Sequence, residues 1–256
     1  MVLAVDIGNT NIVLGCFEKE EVRFIERLST NLYATALEYT VTIRTTLELY
    51  GMDPADFDGA IISSVVPSVT QAVETAVKRA IGQRPLILGP GIKTGLNIRL
   101  DNPAQLGSDR VADAVGAIGS YPCPLITIDM GTATTISVID KNKNFLGGMI
   151  IPGLQMSLDS LSSRAAQLPR IALEAPDRVI GTNTVDCMKS GIIYYTASGI
   201  DGAIDRIEEE LGEPCTVVST GGMARNIIPY CRHEIISDDQ LLLKGLMTIY
   251  NRNKKS

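Results

Sequence analysis

The chain has 256 residues, 45 % of them hydrophobic and 20 % charged, proportions that exclude a disordered or fibrous protein and suit one large domain or two lobes. Its 23 lysines and arginines are outnumbered by 29 aspartates and glutamates, a formal net charge of -6, so neither nucleic acid nor an anionic membrane surface is an expected partner. A single histidine, His233, excludes a two-histidine zinc centre within one chain, and no run of about 18 apolar residues suggests a transmembrane helix.

Met1 to Val5 is an apolar run, Asp6 to Asn11 a polar turn around Gly8, and Ile12 to Phe17 a second apolar run, which predicts strand, turn, strand. This N-terminus lacks the basic region and cleavage site of a secretory signal, so a cytoplasmic protein is expected. Glu20-Glu21 predicts a further turn and Val22 to Leu28 a third strand. Leu37, Val41, Ile43 and Leu47, roughly at helical spacing, predict a helix from Ala34 to Tyr50. A buried strand over Gly59 to Ser63, a helix over Val69 to Ile81 and a strand over Pro85 to Leu88 follow. Gly89 to Pro103 is rich in Gly and Pro and is expected to be a loop. Ser108 is placed to cap a helix that runs to Ile118.

Beyond Pro122 and Pro124, Leu125 to Ile128 predicts a strand, Asp129 to Thr132 a turn and Thr134 to Ile139 a strand. Helices are expected over Gln155 to Ala166, Thr184 to Leu211 and Asp238 to Tyr250, with a strand at Cys215 to Ser219. Such alternation predicts an α/β architecture. No low-complexity linker intervenes, so two closely packed lobes are expected, residues 1–118 and 119–256. The basic tail Arg252, Lys254, Lys255 reads as a frayed, solvated end. Cys16, Cys123, Cys187, Cys215 and Cys231 form no CxxC and read as buried, reduced thiols, Tyr194-Tyr195 as packing residues, and His233 as a surface residue.

Leu3-Ala4-Val5-Asp6-Ile7-Gly8 resembles Ile126-Thr127-Ile128-Asp129-Met130-Gly131, about half a chain length further on. Both are apolar strands ending in Asp-x-Gly, followed by Thr or Asn and a second β-rich run, the pattern of a duplicated unit. Gly lets the backbone approach a ligand closely, and the following N–H groups and hydroxyls suit phosphate oxygens. A carboxylate there repels phosphate by about 4 kcal/mol at ~4 Å and an effective dielectric of ~20 unless a cation intervenes. Asp6 is therefore the candidate for Mg²⁺, direct or through water, with a self-capped turn as the alternative. Thr132 is a better phosphate donor than Thr134 or Thr135 because it directly follows the Gly. Ser219-Thr220-Gly221-Gly222 offers paired glycines against which a flat base could lie, or merely a tight turn. The chain has no GxxxxGK[ST], no GxGxxG and no GxSxG, so nucleotide binding here needs another architecture.

Taken together, Asp6-Ile7-Gly8-Asn9-Thr10-Asn11, Gly107-Ser108-Asp109-Arg110, Asp129 to Thr135 and Ser219 to Gly222 resemble the type III pantothenate kinases in order and spacing. The resemblance implies the duplicated RNase H-like, two-lobe fold of the sugar kinase, Hsp70 and actin superfamily, with ATP in an inter-lobe cleft. It further implies a homodimer, Mg²⁺, and a monovalent cation, K⁺ or ammonium. On this resemblance Asp6, Ile7, Gly8, Asn9, Thr10, Asn11, Ile12 and Val13 bind ATP together with Thr132, and Asp129 holds the monovalent cation. Gly107, Ser108, Asp109 and Arg110 match the pantothenate segment, Asp109 its catalytic base, and Thr184 a substrate contact supplied by the neighbouring subunit. Leu100 stands where many members carry a Tyr lining the pantothenate pocket, which loses a hydroxyl and an aromatic face.

Three other readings compete: an actin- or Hsp70-like nucleotide switch that grips a partner, a regulator descended from a kinase, and a sugar or acid kinase with another acceptor. The chain is short for the first and has no appended client-binding region. Retention of Asp6, Asp109, Arg110 and Asp129 argues against the second, and an acceptor screen separates the third.

Overall fold

The first strand, β1 (Val2–Ile7), shows no polar alternation because both of its faces are covered: Leu3, Ala4, Val5 and Ile7 are fully buried. In the computed structural model, which describes residues 1–19 and 21–254, β1 is the middle strand of a five-stranded sheet. β2 (Asn11–Glu18) and β3 (Glu21–Ser29) extend the sheet antiparallel on one side. The expected turn at Glu20-Glu21 falls partly outside the described residues, as does Lys255 of the basic tail.

Helix α1 (Ala36–Leu49) opens with a capping box: the Thr35 N–H donates to Glu38 Oε2 at 2.7 Å and the Glu38 N–H to Thr35 Oγ1 at 3.3 Å. Its buried face is Tyr39, Thr40, Ile43, Thr46 and Leu47. Leu37 and Val41, which helped predict the helix, point outward and are more than half exposed. Two of the four apolar residues therefore supplied periodicity without supplying core. β4 (Gly59–Ser64) lies parallel to β1, and α2 (Pro67–Ile81) stops at Gly82, whose φ of 74° is left-handed. β5 (Leu86–Ile87) completes the order β3-β2-β1-β4-β5. Helix α3 (Ser108–Ser120) follows.

The Gly- and Pro-rich segment is not wholly loop. It contains β6 (Asn97–Ile98), which pairs parallel with the start of a later strand. β7 (Leu125–Met130) and β8 (Ala133–Ile139) match expectation, but β9 (Asn144–Pro152) was not foreseen, because Gly147 and Gly148 interrupt its pattern. α4 (Leu154–Arg164) and α5 (Thr184–Ser190) come next; α5 continues through a wider π-helical turn, Gly191–Tyr195, into α6 (Thr196–Leu211). β10 (Thr216–Thr220) and the unforeseen β11 (Ile236–Ser237) run parallel to β7, in the order β11-β10-β7-β8-β9-β6.

The two sheets share one plan. A middle strand carries an antiparallel neighbour on one side and a parallel one on the other, so β3-β2-β1-β4-β5 corresponds to β9-β8-β7-β10-β11. That is the duplication the two Asp-x-Gly strands pointed to. The chain divides into two compact units: Met1–Leu96, Asn102–Gly119 and the chain from Leu241 form one, while Asn97–Asp101 and Ser120–Gln240 form the other.

The last helix, α7 (Leu241–Lys254), starts three residues later than expected, after an Asp238 carboxylate that accepts from the Gln240 N–H at 3.0 Å. It packs on β1 and β4 and so belongs to the first unit, unlike the remainder of the chain's second half. Its crossing with α3 is close: a Cβ on Gly245 would run into the Ala112 carbonyl, and one on Gly116 into the Leu241 carbonyl. The described basic tail is not frayed, since helix α7 carries Arg252 and Lys254, and Lys254 Nζ lies 3.8 Å from Asp58.

Candidate functional site

The turn after β1 is built by its own backbone. The Gly8 N–H donates to the Asn11 carbonyl at 2.9 Å, and the Gly8 carbonyl accepts from Thr30 Oγ1 at 2.7 Å. The Thr30 N–H donates to the Thr10 carbonyl at 2.9 Å, so the residue just after β3 braces the turn. Asn9, Thr10 and Asn11 are left exposed, whereas Ile7 and Ile12 are buried and Val13 half-buried. Asp6 does not sit in the turn. It is the penultimate residue of β1, paired in register with Val13 of β2 and Ser63 of β4.

That register leads to the second predicted segment. Ser63 Oγ lies 3.0 Å from Ser108 Oγ, the Ser64 N–H donates to Ser108 Oγ at 3.0 Å, and Ser108 Oγ donates to the Ser64 carbonyl at 3.0 Å. Ser108 is thus not the cap of α3. It is the helix's first residue, and its hydroxyl is spent on β4. The first turn of α3 is thereby pinned to the strand that pairs with Asp6. Asp109 and Arg110, next along, are half-buried. A Cβ on Gly107 would meet the Asp109 carboxylate, which would have to turn aside. Burial lowers the proton affinity of the Arg110 guanidinium, and the nearby Asp109 and Asp113 carboxylates oppose that effect.

In the second unit Asp129 takes the position that Asp6 takes in the first. It is penultimate in β7, opposite Thr135 of β8 and Thr220 of β10. Gly221, φ 89°, closes over it: a Cβ would stand 2.5 Å from Asp129 Oδ1. The Gly131 N–H donates to the Ala133 carbonyl at 3.1 Å and the exposed Thr132 offers its carbonyl to the Gly153 N–H at 3.2 Å. Leu100 also belongs to this unit, its side chain over Gly147, so the structure assigns it to a different unit from Gly107, Ser108, Asp109 and Arg110. Thr184 is exposed and is the first residue of α5. The cap is Asn183, whose side chain accepts from the Asp186 N–H at 2.9 Å.

Among the described residues no three His, Cys, Asp or Glu side chains gather as a metal site, and no helix is long and apolar enough to cross a membrane. A lone carboxylate nonetheless suits Mg²⁺, which is commonly held by one or two carboxylates with substrate phosphates and water. His233 binds Asp205 through Nε2 at 2.8 Å. All five cysteines are free, but only Cys16 is buried; Cys123, Cys215 and Cys231 are half-buried and Cys187 is exposed. Tyr194 packs edge-on against Tyr230, while Tyr195 is 82 % exposed, so only half of that pair packs. Residue-by-residue reading missed Ser63, Ser64 and Asp113. Two serines in an apolar strand and an aspartate inside an alanine-rich helix were the only signals.

A family model described as Type III pantothenate kinase matches residues 2–206. A Type III pantothenate kinase from Halalkalibacterium halodurans is 43 % identical over 253 residues, 99 % of this chain and 100 % of that protein. Among solved structures, a ROK family glucokinase from Streptomyces griseus, in complex with glucose and AMPPNP, superposes with a TM-score of 0.51 at 14 % identity, covering 100 % of this chain and 99 % of its own. A ROK hexokinase from Thermus thermophilus gives 0.50 at 13 % identity, over 98 % and 99 % of the two chains. At these identities the two structures speak to fold alone: the two-lobe α/β fold of the sugar kinases.

Proposed function

The chain belongs to the type III pantothenate kinase family, and from that membership we infer that it transfers the γ-phosphoryl group of ATP to pantothenate. The product, 4'-phosphopantothenate, is the first intermediate of coenzyme A biosynthesis. Phosphoryl transfer asks a protein mainly to align the two substrates and to stabilise charge. Asp109 is assigned as the general base: it accepts a hydrogen bond from the primary hydroxyl of pantothenate and takes its proton as the new oxygen–phosphorus bond forms. Such a base contributes about 10²–10⁴-fold. Asp109 stands in the first turn of α3, directly after the serine that ties this helix to β4. Arg110 offers a planar fork of donors to the polar oxygens of pantothenate, beside Gly107 and Ser108.

The exposed turn residues Asn9, Thr10 and Asn11, with Asp6, Ile7, Gly8, Ile12 and Val13 around them, are assigned to the phosphates of ATP, as is Thr132. Mg²⁺ would be held by Asp6, directly or through water, and a monovalent cation, K⁺ or ammonium, by Asp129. When bound, these ions neutralise phosphate charge that the two carboxylates would otherwise repel. The observation that carries the assignment is the serine junction, in which Ser108 hydrogen-bonds the strand paired with Asp6 and so sets the base beside the end of β1 that carries the phosphate turn.

A homodimer in the cytoplasm completes the proposal, with Thr184 reaching the substrate of the neighbouring subunit. Its physical support is β9. β6 covers this strand only at Asn144 and Phe145, beyond which Leu146, Met149, Ile150 and Ile151 are exposed along an open edge. A long apolar edge strand is an aggregation hazard unless something covers it, and a second copy would do so.

Purified protein given pantothenate, ATP and Mg²⁺ is expected to form 4'-phosphopantothenate, detected by mass spectrometry, faster in K⁺ or ammonium buffer than in Na⁺. No product across a wide range of ATP, pantothenate and cation concentrations would overturn the activity. Equal rates in the three cations would overturn only the monovalent site.

A further inference from the structure

Asp113 is a carboxylate that the proposed chemistry does not use, yet it is only 3 % exposed. Its neighbours on α3 are apolar or small: Val111, Ala112, Ala114, Val115, Gly116 and Ala117 are all buried. A carboxylate in such surroundings is costly unless an opposite charge or donors compensate it. The spacing supplies a cation. Arg110 lies three residues earlier, on the same face of the helix, and Asp109 four residues earlier. The guanidinium of Arg110 is attracted by both carboxylates. The helix is also closely packed, since α3 and α7 cross at Gly116 and Gly245, where a Cβ on either glycine would meet the backbone of the other helix.

The division of labour follows from charge. Were Asp109 the only anion beside Arg110, the guanidinium would compete with the substrate hydroxyl for its oxygens. Asp113, buried deeper than Asp109, is a second carboxylate that attracts the guanidinium and so shares its charge. We propose that Asp113 is a positioning residue of the acceptor site, holding Arg110 in place for pantothenate and leaving the Asp109 carboxylate available to the substrate hydroxyl. This rests on the assignment of Asp109 and Arg110 to the pantothenate site.

The test is a double-mutant cycle on the full-length enzyme, with pantothenate and ATP varied separately. Asp113→Asn is expected to raise the pantothenate KM and to lower kcat/KM for pantothenate about 10-fold, with the ATP KM unchanged. In an Arg110→Gln background the same change is expected to add nothing, because Asp113 acts only through Arg110. A folded Asp113→Asn enzyme with wild-type pantothenate kinetics overturns the proposal, as does a matching rise in the ATP KM. A further large loss of kcat/KM on going from Arg110→Gln to the double variant also overturns it. That last comparison removes both charges together and does not require Asp113→Asn to fold alone. Failure of the underlying site would look different: Asp109→Asn and Arg110→Gln would themselves turn over pantothenate normally.

Discussion

Asp109 combines three local circumstances: a helix start, a glycine two residues earlier that leaves space for its carboxylate, and an arginine immediately after it. Replacing it with Asn keeps the shape and removes the proton acceptor. Asp109→Asn is expected to lower kcat by about 10²–10⁴-fold while the ATP KM stays within a small factor of wild type, as steady-state kinetics will show. Gly221 is the complementary case in the second unit. Its φ of 89° already disfavours any side chain, and a Cβ would press on Asp129 Oδ1. Gly221→Ala should raise the K⁺ concentration needed for half-maximal rate, measured by titrating K⁺ at saturating substrates; an unchanged K⁺ dependence would separate Asp129 from the cation. The candidate residues were legible because each segment carries its chemistry in consecutive positions, Asp6 to Asn11 and Gly107 to Arg110. Ser63 and Asp113 were not, because one polar residue in an apolar strand or an alanine-rich helix does not say what it meets. Ser63 matters only once β4 pairs with β1 and α3 docks on its end.

Helices and strands that bury a regular face were readable, and those whose pattern is broken were not. β9 holds Gly147 and Gly148 with φ of 136° and 147°, and a Cβ on Gly148 would strike the Ile136 carbonyl of β8. The glycines that hide the strand from a periodicity argument are there because the neighbouring backbone comes so close. β6 and β11 have two residues each, too few to show any period. The helix from Thr184 to Leu211 was anticipated as one piece; the wide turn at Gly191–Tyr195 inside it has no sequence signature beyond its glycine. The α3–α7 crossing yields a prediction at this scale. Gly245→Ala forces a methyl into the Ala112 carbonyl, so helix separation should cost about 1–3 kcal/mol of stability, read from urea unfolding. A loss below the error of that measurement would show that the crossing has slack.

At the scale of the molecule the twin sheets explain how one half-length pattern could announce a fold. Asp6 and Asp129 are equivalent positions of one design, yet their strand partners differ, Val13 and Ser63 for one, Thr135 and Thr220 for the other. Such divergence suits the different cations proposed for the two carboxylates. Assembly is tested at the open edge of β9. Ile150, 67 % exposed, is expected to be covered in the proposed dimer, so Ile150→Glu should convert dimer to monomer in analytical ultracentrifugation and remove the activity that the proposal makes dependent on Thr184 of a second subunit. A variant that sediments like wild type would place the interface elsewhere.

Helix α7 has a bearing on biogenesis. It covers β1 and β4, yet it follows the whole of the second unit in the chain. While the ribosome is still reading the middle of the gene, the earliest sheet therefore waits with its apolar side open, a natural client for a nascent-chain chaperone. Only when the segment beginning at Leu241 leaves the exit tunnel can that sheet close, so translation stalled shortly before it should leave a product that proteases degrade.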